Sequence, residues 1–216
     1  MTEIRFGKDA EDIGKLISRE MPAVAFVSWD LTPFMPYFHD WRKNMVFVEC
    51  DKAAVDALTE RLATEYPNYD IYAGERKPAL KINRGKMTAS IVITAREGIN
   101  RREVSGNKPK IEKCLVDLLY YSKNDILPIP IKDVLGLWKL YLYPNDSNDA
   151  KIRVDIKFSE LYRYSQRRYL SWLVSIFAYE MVQRGGKHSN VNTLSGRHLA
   201  QGKKILEIVR MVQKFE

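Results

Sequence analysis

The chain has 216 residues, of which 45% are hydrophobic and 29% charged, and this composition excludes an intrinsically disordered protein. Its 35 Lys and Arg residues outnumber 27 Asp and Glu residues, which gives a formal net charge of +8. Because Lys and Arg gain affinity by displacing counterions from phosphate, we expect a nucleic acid or an acidic protein as the partner. The N-terminal sequence lacks the apolar segment of a signal peptide, and the longest apolar stretch, residues 169–182, is too short to cross a bilayer. We therefore predict a cytoplasmic protein without a membrane span.

The first half of the chain alternates helical and strand patterns. Apolar residues at helical spacing predict a helix over residues 10–21 with Asp9 as its N-cap, and a second helix that begins after Asp51. Apolar runs predict strands over residues 23–29, 45–50, 69–74 and 88–96. The helix between the second and third strands predicts a parallel crossover.

Helical patterns dominate from residue 107 onward. They cover residues 110–122 and 130–143, one long helix over residues 154–183, and a last helix from residue 202. The predicted fold class is therefore α/β (α+β), with a small, mixed, partly parallel sheet of about four strands followed by a helical C-terminal half. We expect residues 1–106 to form the sheet core and residues 107–216 to pack on it in one continuous unit.

Cysteine and histidine residues are few and widely spaced. Cys50 and Cys114 lie in apolar contexts without a CxxC spacing, which predicts two buried thiols in a reducing compartment. His39, His188 and His198 have no spacing that would place two of them on one helix face. We predict no metal site and no cofactor.

Two acidic residues, Glu112 and Asp117, interrupt the apolar run of the predicted helix 110–122. A separation of five residues places them about 140° apart around a helix, so they cannot act as a paired acid and base. Lys113 is four residues from Asp117, and this spacing predicts an ion pair worth about 0.2–0.5 kcal/mol. Glu112 suits the dipole of the helix N-terminus. We expect structural roles for both acids.

The segment between the third and fourth predicted strands is a candidate binding loop. Its cations are Arg76, Lys77, Lys81, Arg84 and Lys86. Loops that leave the carboxyl end of a strand in an α/β sheet often bind ligands, which favours a phosphate-contacting loop. The alternative is an edge hairpin whose cations deter aggregation.

The predicted long helix carries a second group of cations, Arg163, Arg167 and Arg168. They alternate with the aromatic residues Tyr162, Tyr164, Tyr169 and Trp172. Such a pattern can hold a phosphate backbone and stack on bases. However, Leu161, Tyr169, Trp172, Leu173, Ile176 and Phe177 recur at helical spacing, which favours a core stripe with the arginines turned to water or to a partner.

No catalytic motif with a specific spacing occurs in the chain, which has no GxxxxGK[ST], GxGxxG, GxSxG or HExxH sequence. We therefore expect a binding protein and not an enzyme. The rival interpretation is a nucleotidyltransferase-like enzyme, for which Glu49, Asp51 and Asp70 would have to assemble near strand ends. A third interpretation is a structural domain whose apolar C-terminal helices form a homodimer.

The order of these features resembles the C-terminal part of AbiEi-type antitoxins from type IV toxin–antitoxin systems and their bacterial relatives, over roughly residues 5–170. The most telling segment is KPKIEKCLVDLLYY, in which Ile111, Glu112, Lys113, Leu115, Val116 and Asp117 are similar to the family pattern. His39 after an aromatic turn and the segment DIKFSELYRYSQRR are similar as well.

The resemblance implies an antitoxin-like or regulatory protein of a prokaryotic toxin–antitoxin type system. In that family a winged helix-turn-helix usually precedes the matching region and binds operator DNA, and the matching region is associated with countering a nucleotidyltransferase-like toxin. We expect the chain to begin almost where that module would end, so the resemblance favours the second role. The expected partner is a nucleic acid or a toxin protein, bound through the two groups of cations.

Overall fold

A computed structural model describes residues 4–38, 44–73, 89–96, 104–105, 107–142, 156–183 and 196–212. The chain divides into two compact units. The sheet unit comprises Glu3–Lys110 and Asn124–Ile129, and the helical unit comprises Ile111–Lys123 and Pro130–Glu216. The predicted packing of the helical half on the sheet stays a prediction.

The sheet unit contains six strands and two α-helices among its described residues. In chain order they are α1 (Lys8–Glu20), β1 (Phe26–Asp30), β2 (Met45–Cys50), α2 (Val55–Glu65), β3 (Asp70–Ala73), β4 (Ser90–Ala95), β5 (Val104–Ser105) and β6 (Lys108–Pro109). Short 3-10 turns at Met35–Tyr37 and Lys52–Ala54 precede β2 and α2. The described helical unit contains α3 (Ile111–Lys123), α4 (Ile131–Leu142), α5 (Phe158–Arg167), α6 (Ser171–Gln183) and α7 (Gly196–Val212).

Four strands form a mixed sheet in the order β1-β2-β4-β3. β1 is antiparallel to β2, whereas β4 is parallel to both β2 and β3. β2 and β3 are therefore parallel to each other, as predicted, and their crossover through α2 passes over β4. The predicted fold class is confirmed, with a mixed four-stranded sheet followed by a helical C-terminal half.

Strand β2 is buried along its whole length, as expected for a mainly apolar strand covered on both faces, and its one charged residue is Glu49. On one face α1 and α2 lie side by side, since Arg61 of α2 is 3.5 Å from Glu20 of α1. On the opposite face Trp29 of β1 stacks on Phe47 of β2, with ring centroids 4.5 Å apart. Cys50 ends this strand as a buried free thiol, and burial raises its pKa to about 11.

Helix α1 begins at a tertiary contact and not at the predicted local cap. The prediction of Asp9 as the N-cap is wrong, because Gly7 occupies that position and has no side chain to bond the helix. Instead the buried carboxylate of Asp30, at the end of β1, accepts the N–H of Gly7 at 3.0 Å. A Cβ on Gly7 would lie 2.4 Å from an oxygen of Asp30, so this approach requires glycine. Asp51 likewise provides no side-chain cap to the turn that precedes α2.

The predicted long helix over residues 154–183 is wrong, because α5 and α6 are separate helices. Tyr169 between them has φ 57, in the left-handed region. The N–H of Leu170 donates to the carbonyl of Ser165 at 2.8 Å, and the N–H of Tyr169 donates to that of Gln166 at 3.2 Å. These two bonds make a Schellman ending, in which glycine usually holds the left-handed position. Because Tyr169 holds it here, the sequence carries no breaker signal.

The break also overturns part of the predicted core stripe. Leu161 of α5 and Phe177 of α6 are buried, but Tyr169 is 85% exposed and Trp172 is 41% exposed. Leu173 and Ile176 are only partly buried. The residues of α6 that enter the core are Val174, Ser175, Phe177, Ala178 and Met181. Because the chain turns after Arg168, the positions of α6 that face the core differ from those predicted for one continuous helix.

Helices α6 and α7 cross closely at Gly202. A Cβ on this glycine would lie 2.0 Å from the backbone carbonyl oxygen of Ser175. Backbone cannot give way as a flexible side chain can, so Gly202 is required for the packing of these helices. Among the described residues, no helix has the length and apolar character needed to span a membrane.

Two Gly→Ala substitutions should change stability in opposite directions. Gly202→Ala should lower the free energy of unfolding by about 1–3 kcal/mol, because the methyl group overpacks the contact with α6. Gly136→Ala in α4 meets nothing within 4 Å and should raise it by up to about 1 kcal/mol, because alanine is the better helix former. Urea unfolding followed by circular dichroism measures both, and two changes of the same sign would contradict this account.

Candidate functional site

The two acids of α3 hold the two ends of α5. Glu112 Oε1 accepts the backbone N–H of Lys157, the N-cap residue of α5, at 2.9 Å. Asp117 Oδ1 accepts a hydrogen bond from Nε of Arg168, the C-cap residue of α5, also at 2.9 Å. Both acids are nearly completely buried. α3 therefore fixes where α5 begins and ends.

Asp117 lies between two cations. The predicted ion pair with Lys113 is present, and the guanidinium of Arg168 contacts the other carboxylate oxygen. The side chains of Lys113 and Asp117 are each only 3% exposed. The contribution of about 0.2–0.5 kcal/mol expected from helical spacing alone is therefore too small for this pair. Removing one partner of a buried ion pair leaves an uncompensated charge and costs about 3–5 kcal/mol.

Arg168 is held on more than one side. Its guanidinium carbon lies 4.4 Å from the ring centroid of Tyr120 and 5.7 Å from that of Tyr121. These distances are typical of cation–π contacts, which add to the bonds with Asp117. The sequence did not predict the contacts of Arg168 with the two tyrosines. The only sequence signal for its bond with Asp117 was that a buried acid requires more than one cationic or hydrogen-bonding partner.

Immediately after this anchor the chain exposes two aromatic rings. Tyr169 follows Arg168 directly, and Trp172 lies in the first turn of α6. Arg167 is exposed on the other side of the anchor. We use the name junction surface for these three exposed residues, Arg167, Tyr169 and Trp172, which lie within six residues of sequence. Exposed tyrosine, tryptophan and arginine are the residue types enriched where proteins bind partners.

The remaining residues of the predicted arginine face are tied to their own helices. Arg163 pairs with Glu160, and its guanidinium carbon lies 5.2 Å from the ring centroid of the buried Tyr164. Tyr162 faces α7, where its ring centroid is 4.1 Å from that of His198. The structure therefore brings Arg168 and Arg163 into internal contacts and leaves Arg167 as the exposed arginine of the three.

The other predicted binding residues lie outside the described part of the chain. They are Arg76, Lys77, Lys81, Arg84 and Lys86, and His39 of the family-like motif lies outside the described part as well. The strands on either side of these five cations are parallel to each other. The edge-hairpin alternative for the segment between them also stays a prediction. The ligand-binding role of these cations stays a prediction.

The carboxylates required by the enzyme interpretation do not assemble. Asp70 begins β3 and is aligned with Ser90, whereas Glu49 near the end of β2 is aligned with Thr94. At about 3.3 Å per residue these positions are about 13 Å apart along the strands. Glu49 is instead buried against Arg96, with an oxygen–nitrogen distance of 3.0 Å. Within the described ranges, no group of three His, Cys, Asp or Glu side chains could hold a metal ion.

A groove that sequence reasoning missed lies between α1 and residues 107–108. Its volume is about 810 Å³, and its lining includes Lys15, Arg19 and Lys108. These cations contact acids nearby: Lys108 is 2.9 Å from Glu11, Arg19 is 2.8 Å from Glu20, and Lys15 is 3.7 Å from Asp12. The bond from Lys108 lowers the pKa of Glu11. The groove therefore offers less positive charge than its cations suggest.

Removing the central carboxylate should be strongly destabilising. Asp117→Ala should lower the free energy of unfolding by about 3–5 kcal/mol, because Lys113 stays buried and Arg168 loses its anchor. Asp12→Ala is the matched control, since this side chain is 42% exposed and its contacts with Lys8 and Lys15 are worth about 0–1 kcal/mol. Denaturant unfolding measures both variants. Equal losses would mean that burial does not decide the strength of the Asp117 cluster.

The chain was compared with protein families, curated proteins and solved structures. A family of unknown function, DUF6577, matches residues 4–182, which include the sheet, α3, α4, α5 and nearly all of α6. No curated protein and no solved structure matches the chain. The resemblance to AbiEi-type antitoxins stays a prediction. Since the matched region covers most of its length, the chain belongs to the DUF6577 family.

Proposed function

We propose that this protein is an antitoxin-like, regulatory binding protein that binds nucleic acid through the junction surface. The observation that carries the proposal is Tyr169, whose ring is 85% exposed and whose backbone has φ 57. A left-handed conformation costs a residue other than glycine roughly 1–2 kcal/mol. Strained backbone of this kind clusters at functional sites, where the surrounding structure maintains it.

Charge supports a polyanion as the ligand. The segment from residue 163 to residue 172, RYSQRRYLSW, contains three arginines and no acidic residue. Arg163 and Arg168 contact acids outside this segment, and Arg167 is the most exposed of the three. The whole chain has a net charge of +8, which raises the rate and affinity of encounters with phosphate. Arginine can contact phosphate oxygens while neighbouring aromatic rings stack on bases.

The regulatory part of the proposal rests on the resemblance to AbiEi-type antitoxins. The most similar segment, with Glu112, Lys113 and Asp117, is the segment of α3 that holds α5. In this proposal the family-like residues do not touch the ligand. They support the helix that presents the junction surface.

Binding should depend on salt and on Arg167. We expect full-length protein to bind labelled oligonucleotides with an affinity that falls as salt rises, measured by fluorescence anisotropy. Arg167→Gln should reduce the slope of log affinity against log salt by about 1, the change expected for one lost phosphate contact. Arg19→Gln is the control, because this side chain is 70% exposed but lies on α1 and pairs with Glu20. Binding that is absent at low salt, or indifferent to salt, would refute the nucleic-acid proposal.

The antitoxin-like role has a separate test. We expect co-expression of this protein to restore growth of cells inhibited by a nucleotidyltransferase-like protein encoded beside it. The Asp117→Asn variant, which weakens the support of the junction surface, should restore growth less well at equal protein level. Growth that stays inhibited with abundant, folded protein would count against the role.

A further inference from the structure

We infer that the nucleic acid bound at the junction surface is single-stranded, with Tyr169 and Trp172 stacking on its unpaired bases. The inference rests on the proposed function and names the ligand class for the same surface. The shared chemistry is an anionic backbone that carries unstacked bases, which both single-stranded RNA and single-stranded DNA provide.

The exposure of the two rings favours single strands over duplexes. Tyr169 is 85% exposed, and Trp172, three residues later, is 41% exposed. In a duplex the faces of the bases are covered by their neighbours, so aromatic side chains stack mainly on bases of single-stranded segments. An arginine would be sufficient to contact duplex phosphates, but it would not explain two exposed aromatic rings.

The anchor fixes the backbone from which the Tyr169 side chain projects. Arg168 is bonded to Asp117 and lies over Tyr120, and the next two N–H groups are bonded to Gln166 and Ser165. The backbone at Tyr169 is therefore determined from both sides before any ligand arrives. A backbone that is ordered in advance loses less conformational entropy on binding than a mobile one. Asp117 and Arg168 thus act as positioning residues for the stacking ring.

Arg167 supplies the contact to the phosphate backbone of the strand. Arg167 precedes the anchor and Trp172 follows Tyr169, so cationic and aromatic side chains flank the turn on both sides. Stacking tolerates any base, because each base has an aromatic face. We therefore expect little sequence preference, and similar affinity for RNA and DNA strands of the same length.

The test uses Tyr169→Gly in the full-length protein, measured by anisotropy. Glycine adopts positive φ without penalty, so the melting temperature should stay equal or rise. Loss of the ring should lower the affinity for single-stranded RNA and DNA on the order of tenfold. Tyr169→Phe keeps the ring and should keep the affinity. Ile131→Ala, at a side chain 44% exposed on α4, is the control and should change neither affinity nor selectivity.

Tryptophan fluorescence gives a second readout. Trp29 and Trp138 are fully buried, whereas Trp172 is partly exposed. The fourth tryptophan of the chain, Trp41, is replaced by phenylalanine in the protein used for this measurement. Single-stranded oligonucleotides should quench the emission of this protein, and adding Trp172→Phe should abolish most of the quenching while retaining binding. Quenching that persists in Trp172→Phe would contradict base stacking at this position.

The outcomes separate this inference from the proposed function. Equal affinity for duplex and single strands, unchanged by Tyr169→Gly, would overturn the inference and leave nucleic-acid binding intact. Absence of binding to any nucleic acid would overturn both. Self-association that Tyr169→Gly abolishes, without nucleic-acid binding, would assign the ring to a protein interface and so refute single-strand stacking.

Discussion

The buried contact between Asp117 and its two cations is the interaction on which the helical unit depends. A carboxylate removed from water is stable only when cations and hydrogen-bond donors replace the solvent, and Lys113 and Arg168 do so here. Lys113 lies on the same helix, but Arg168 is 51 residues from Asp117 in the sequence. The requirement for neutrality in the core therefore fixes the end of α5. Glu112 fixes its beginning through the N–H of Lys157, so the length and position of α5 follow from two acids of α3.

Patterns that are satisfied locally were predictable from the sequence. β2 was predicted with the observed bounds, because a short β-prone apolar segment interrupted only by Glu49 has few alternatives to a buried strand. The ion pair of Lys113 with Asp117 was predictable because a helix brings residues four apart together. The partner of Asp117 on α5 was not, since no periodicity relates residues so distant in the chain. In the same way the cap of α1 comes from Asp30 on a strand, and Asp9, which satisfies the local rule, is not used.

The division between α5 and α6 shows why the candidate site was less predictable than the fold. A helix usually ends where glycine or proline makes continuation unfavourable, and the sequence RRYLSW offers neither. The anchoring of Arg168 competes with continuation of the helix, and a cost of roughly 1–2 kcal/mol at Tyr169 is small beside a buried ion pair worth about 3–5 kcal/mol when broken. Because the chain turns after Arg168, the residues that follow face different directions from those that a continuous helix would give them. Tyr169 and Trp172, which a continuous helix places in the core stripe, are then exposed.

The contacts between cations and acids inside the helical unit reduce the positive charge that this unit could offer to a polyanion. The formal charge of +8 overstates the cations available in the described helical unit, because Lys113, Arg163 and Arg168 contact acids within it. These three cations neutralise acids of the protein, so they contribute to its stability and not to a phosphate site. Arg167 is exposed and lies within five residues in sequence of two exposed aromatic rings, those of Tyr169 and Trp172. Since strain and aromatic exposure coincide at Tyr169, and glycine there would remove both, stability does not account for the tyrosine, and this supports the proposed binding role.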